Sequence, residues 1–121
     1  MRKLWALEQA VLEAAAHDYQ ASADALREQI ATAQVTDFEN TGVGFFSTVK
    51  VPPEAPRLTD QSPLDAATGS VASIPHGMGF LVFLKDGHIS VIEGYTYDGS
   101  TVNLDFETVA FDVKPWSMAG E

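Results

Sequence analysis

The sequence contains no cysteine. That excludes disulfide frameworks, thiolate zinc sites, iron–sulfur clusters and cysteine nucleophiles. Basic side chains are scarce: 7 Lys and Arg stand against 17 Asp and Glu, for a formal net charge of −10. So few cations cannot neutralise a run of phosphates, which argues against nucleic-acid partners and against docking on anionic lipid. No uninterrupted apolar stretch approaches the ~20 residues that span a bilayer. Met1-Arg2-Lys3-Leu4-Trp5-Ala6-Leu7 imitates the start of a signal peptide, but Glu8, Gln9 and Glu13 interrupt it before an apolar segment forms. The expectation is a single cytoplasmic domain over residues 1–121, with no membrane and no nucleic acid among its partners. A chain of this length buries enough surface for one core without metal or disulfide staples.

Glycine and proline are missing from residues 3–34, a stretch rich in Ala, Leu, Glu and Gln. Within it Leu4, Leu7, Val11, Ala15, Tyr19, Ser22, Leu26, Ile30 and Ala33 recur at steps of three or four. That stripe predicts one long amphipathic helix. Its weak point is the run from His17 to Ser22, where helix propensity drops, and two helices with a break there are the alternative.

The texture then changes. Thr41 to Val51 reads as a strand, stopped by Pro52-Pro53. Residues 52–69 hold four of the six prolines and read as a surface loop, with a short strand at Ser70–Ile74 after it. Phe80–Lys85, Asp86-Gly87 and His88–Tyr97 spell a hairpin, since Asp-Gly suits a type I′ turn with positive φ at both central residues. A second Asp-Gly at 98–99 predicts a further strand over Ser100–Phe106, giving a C-terminal meander. Two-residue turns then place Phe80 opposite Glu93 and Glu93 opposite Leu104. The expected core face is Phe80, Val82, Leu84, Ile89, Val91, Tyr95, Val102, Leu104 and Phe106. Leu81, Phe83, His88 and Ile92 point outward; the phase of Val109, Phe111 and Val113 differs, so either a bulge near Glu107-Thr108 restores their inward face or the strand ends there with unrelated packing. The expected fold is α+β, with a long N-terminal helix on a twisted antiparallel sheet of four to five strands.

Three segments carry a family likeness: Thr41-Gly42-Val43-Gly44-Phe45-Phe46, the run from His76 through Phe80-Leu81-Val82-Phe83-Leu84 to Gly87, and Glu93-Gly94-Tyr95-Thr96-Tyr97. With the preceding helix they resemble a family of small, functionally uncharacterised bacterial proteins. The resemblance covers about two-thirds of the chain. It implies a bacterial source and an α+β fold, and it carries over no catalytic residue.

The chemistry-bearing residues are few. Gly42-Val43-Gly44 opens a strand where a dinucleotide fingerprint needs a helix, so close backbone approach is the expected role of those glycines. His76-Gly77-Met78-Gly79 lacks the Gly-x-Ser-x-Gly elbow that an esterase needs. His17, His76 and His88 have no metal-ligand spacing, so neither metal nor cofactor is expected. The expected register makes Glu93 an unusual carboxylate on the core face, either at an edge beside Arg27, Arg57 or Lys50, or at the mouth of a helix–sheet pocket. Glu93, Tyr95, Tyr97 and His76 are the candidate ligand-binding residues.

The leading expectation is a non-catalytic binding or interaction protein. One alternative is an acidic inhibitor or immunity-type protein for a basic partner. The other is a small-ligand protein or enzyme using the pocket near Glu93. A continuous helix of ~32 residues, ~48 Å long, would overhang an eight-residue strand of ~27 Å, which makes a homodimer a further expectation.

Overall fold

Good helix formers without Gly or Pro do form helix here, but in two pieces. The computed structural model describes residues 1–120. Helix α1 runs Ala6–Asp18, a turn of 3-10 helix covers Gln20–Ser22, and α2 runs Ala23–Thr32. The break falls at the weak point of the propensity, and corrects the single long helix. Tyr19 leaves the helical region (φ −98°, ψ 62°), and its hydroxyl accepts from the Asp65 amide at 3.0 Å. Ser22 donates to Asp60 at 2.5 Å. The apolar stripe survives the break, because Leu7, Val11, Ala15, Leu26, Ile30 and Ala33 are all buried. With the helix divided, the single ~48 Å rod whose overhang suggested a homodimer does not form.

The sheet has six antiparallel strands, in the order β1-β2-β5-β4-β3-β6, where four to five were expected. They are β1 Gln34–Asn40, β2 Gly44–Lys50, β3 Leu64–Val71, β4 Met78–Lys85, β5 His88–Thr96 and β6 Phe111–Pro115. Strand β1 lies outside the sequence expectation. Strand β3 begins inside the expected loop and ends before Ile74. Both helices contribute their buried side chains to the core on one face of the sheet. The fold class is therefore α+β, as expected.

The first Asp-Gly hairpin forms as expected. Asp86 and Gly87 both have positive φ (52° and 79°), with Lys85 opposite His88 and Leu84 opposite Ile89. A bulge follows at once: Phe83 pairs with Val91, leaving Ser90 as the extra residue. Every later pair slips by one. Glu93 faces Leu81 instead of Phe80, and Phe80 faces Gly94. A slip of one residue turns the rest of the strand over. Ile92, expected outside, is fully buried, while Val91, Glu93 and Tyr95 leave the core face.

The second hairpin does not form. Strand β2 already occupies the free edge of β5, pairing Phe45 with Gly94 and Phe46 with Glu93. The chain after Asp98-Gly99 instead turns under β1 and β2. Thr101, fully buried, donates its amide to Gly42 O at 2.8 Å, and its hydroxyl bonds Asn40 Oδ1 at 2.8 Å. Phe106 packs on Phe45 with ring centroids 4.8 Å apart. The phase shift expected near Glu107-Thr108 thus separates a loop from β6, and no bulge joins them. Gly44 performs the expected close approach, since a Cβ there would strike the Gly94 carbonyl.

Candidate functional site

The register turns the candidate residues onto the open face of the sheet. Across the strands, in one row, stand Glu39 (β1), Phe46 (β2), Glu93 (β5), Leu81 (β4) and Asp65 (β3). Neighbouring strands are ~4.8 Å apart, so the three carboxylates stand at intervals of ~10 Å with an apolar side chain in each gap. The next row holds Asp37, Thr48, Val91 and Phe83. Leu81, Phe83, Val91 and Tyr95 are half-buried, and Phe46 is 38% exposed. Neither Glu93 nor Asp65 takes part in an ion pair among the described residues, so the pairing of Glu93 with Arg27, Arg57 or Lys50 does not occur.

The tyrosines lie at one end of this face. Tyr95 pairs with Gly79 on β4, and its ring lies over that glycine, where a Cβ would come within 2.5 Å of the ring. Tyr97 meets Tyr95 edge-on at a centroid distance of 5.8 Å, and its hydroxyl shares a 2.7 Å hydrogen bond with Thr68 on β3. Burial pushes the Tyr95 phenol above its ordinary pKa, and Tyr97, Asp65 and Glu93 push it the same way. The phenol therefore stays protonated at neutral pH, a poor nucleophile and a poor base. His76 stands apart from this group: it is exposed in the turn before β4, with φ 64°, and its ring makes no hydrogen bond among the described residues. Gly77 next to it does reach the strand end, its carbonyl accepting from Tyr97 N at 3.3 Å. His88, expected to be solvated, is half-buried, with its Nε2–H donating to Ala55 O at 2.9 Å.

One buried carboxylate does exist, at Glu8. Its side chain is 1% exposed and accepts four hydrogen bonds. Arg2 supplies two, at 2.8 and 3.0 Å; Trp5 N supplies one at 2.7 Å; Ser47 Oγ supplies the fourth. The guanidinium lies 3.3 Å over the Trp5 ring. A carboxylate so fully bonded has no spare acceptor for a substrate, and its work is structural.

Among the described residues no group of three His, Asp or Glu is placed to hold a metal ion, and no helix is long and apolar enough to cross a membrane. Compared with known proteins, the chain matches no family model, no curated protein and no solved structure. Of the residues expected from sequence, Glu93, Tyr95 and Tyr97 stand near one another and His76 stands apart; Phe46, Asp65 and Thr68, which adjoin them, are not among those expected. The usable signal for Phe46 was its position between the inward Phe45 and Ser47.

Proposed function

We propose that this chain is a non-catalytic interaction protein whose open sheet face docks a basic protein, in the manner of an acidic inhibitor. The observation that carries the reading is the row Glu39, Phe46, Glu93, Leu81, Asp65. A solvated face of an antiparallel sheet ordinarily carries polar side chains. Here Phe46, Leu81, Phe83, Val91 and Tyr95 break that pattern, and partly exposed aromatic and apolar groups are what interfaces use at their centre. The carboxylates between them give the face its sign, and the chain's net charge of −10 adds long-range attraction for a cationic partner.

Charge also decides between a basic partner and a second copy. A two-fold axis would set one acidic face against another, a repulsive arrangement. The reading of Glu93 as the mouth of a pocket loses its walls, because Glu93 stands on the face opposite the helices. The family resemblance is compatible with an interaction protein and assigns no residue a catalytic role.

The test is retrieval of a partner by the intact chain and by Glu93→Lys. The expected partner has a high isoelectric point, is lost with Glu93→Lys, and associates more slowly as salt rises past ~0.15 M, where the screening length is ~8 Å. A partner retained by the variant, or association indifferent to salt, refutes the reading. Light scattering that gives twice 13.0 kDa would replace the basic partner with a second copy.

A further inference from the structure

In a chain with only 7 Lys and Arg, three of them line one cleft. Lys50 ends β2, Arg57 belongs to the loop after it, and Lys85 ends β4, next to the Asp86-Gly87 turn. The cleft has a volume of about 270 Å³. Its floor is apolar, formed by Val49, Val51 and Ile89, all buried. Asp86 is the one carboxylate in the lining, so three cations face one anion in a molecule that is otherwise strongly acidic.

None of the three cations takes part in an ion pair among the described residues. All three are exposed, so a local cationic patch stands in a strongly acidic chain. Ser90, the bulge residue, also lines the cleft, and its hydroxyl makes no hydrogen bond among the described residues.

The walls are fixed in advance. Gln29, fully buried on α2, donates from Nε2 to Pro56 O at 2.7 Å and to Gly87 O at 3.0 Å, and accepts from Ile89 N at 2.8 Å. Leu58 N adds a 2.9 Å bond to Gly87 O, and His88 ties β5 to Ala55 O. One amide side chain and two further bonds thus hold the Arg57 loop against the β4–β5 turn. A loop backbone held in place before the ligand arrives loses no further entropy on binding.

We infer that this cleft binds a small phosphorylated molecule, its dianion held by Lys50, Arg57, Lys85 and Ser90 and its apolar part laid on the exposed ring of Pro53. Arg57 suits the dianion because a guanidinium offers two parallel donors to a phosphate, while the lysines act as point charges. The volume limits the ligand to a compact molecule, at the small end of the range for ligand sites. The site is separate from the acidic row, and its success or failure leaves the docking reading untouched.

The experiment is a two-dimensional NMR titration of the full chain with phenyl phosphate, inorganic phosphate and sodium chloride at matched ionic strength. Phenyl phosphate is expected to saturate with shifts centred on Lys50, Arg57, Lys85 and Ser90, and to bind several-fold more tightly than inorganic phosphate, which lacks the apolar part. Arg57→Gln and Lys85→Gln are each expected to weaken it about tenfold. Both positions are exposed, and an unchanged amide spectrum before titration certifies the fold. Shifts reproduced by sodium chloride, no saturation by ~20 mM phenyl phosphate, or unchanged affinity in both variants overturns the inference.

Discussion

Arg2→Ala is the sharpest test of the core chemistry. The Arg2 guanidinium makes two bonds to Glu8, and the Glu8 side chain is 1% exposed. Removing the arginine leaves a buried carboxylate with two donors, Trp5 N and Ser47 Oγ. Stranding one partner of a buried ion pair costs about 3–5 kcal/mol. Arg2 itself is 28% exposed, so water can enter the space it leaves, and the expected loss is at the low end, about 3 kcal/mol. With an unfolding entropy of ~2.1 cal/mol/K per residue over 121 residues, that loss lowers Tm by ~12 °C.

The assay is urea denaturation of Arg2→Ala, Glu8→Gln and the double variant. Because both single variants break the same contact, their losses should not add, and a coupling energy of at least ~2 kcal/mol is expected. Salt up to ~0.5 M should change the wild-type midpoint little, since the pair is shielded from solvent ions. An Arg2→Ala loss within ~0.5 kcal/mol, or additive single losses, would refute the buried-pair reasoning.

Three further outcomes follow from the register and the termini. Glu93→Gln is expected to change stability by no more than ~0.5 kcal/mol, because the carboxylate faces solvent on the open side; a loss of 3–5 kcal/mol would place it in a buried pair and sink the observed register. Gly94→Ala is expected to cost about 1–3 kcal/mol by overpacking, because the new Cβ strikes the buried Phe45 ring, and Phe45→Leu in the same chain should recover part of the loss. Burial pushes the Asp18 carboxyl up, but hydrogen bonds from Ser117 Oγ and N, together with His17, outweigh it and hold the group below its ordinary pKa. The attachment of Ser117 to α1 is therefore present above the unfolded value of ~3.9 and lost as pH falls through the lower folded value. Hydrogen exchange at the Ser117 amide should accelerate over that acidic window in the wild type and show no such window in Asp18→Asn.

Local signals were legible where local physics decides. The helical stripe named the buried Leu7, Val11, Ala15, Leu26 and Ile30, and Asp86-Gly87 named its own turn. Signals that depend on a distant neighbour were not. Asp98-Gly99 does turn the chain, with Gly99 at φ 103°, but whether a strand follows depends on who holds the edge of β5, and β2 holds it. Strand β1 was hidden because its alternation is interrupted: Val35 pairs with Val49 but Asp37 pairs with Thr48, leaving Thr36 as an extra residue. Glu8 escaped notice for a similar reason. Nothing in the sequence beside it announces that Ser47, 39 positions away, completes its shell. The candidate site inherits the error of register: Glu93, expected on the core face, stands on the open face.

The Ser90 bulge links the core to both proposed surfaces. Strict alternation along β5 from Ile89 would send Ile89, Val91, Glu93 and Tyr95 to the core and Ile92 to water. Burying the Glu93 charge without a partner costs several kcal/mol, and exposing Ile92 forfeits about 1.5–3 kcal/mol of burial. One unpaired residue resolves both conflicts, since Ile89 and Ile92 can both face inward only if an extra residue lies between them. Gly94 then falls under the Phe45 ring, where a side chain would not fit. The same extra residue sets Ser90 in the cationic cleft and turns Glu93 and Tyr95 onto the open face. Glu93 consequently joins the row of Glu39 and Asp65 on that face, while Lys50 and Lys85 end their strands beside the cleft. The placement of Ser90 and Glu93 on the two proposed surfaces is thus a by-product of how two isoleucines find the core.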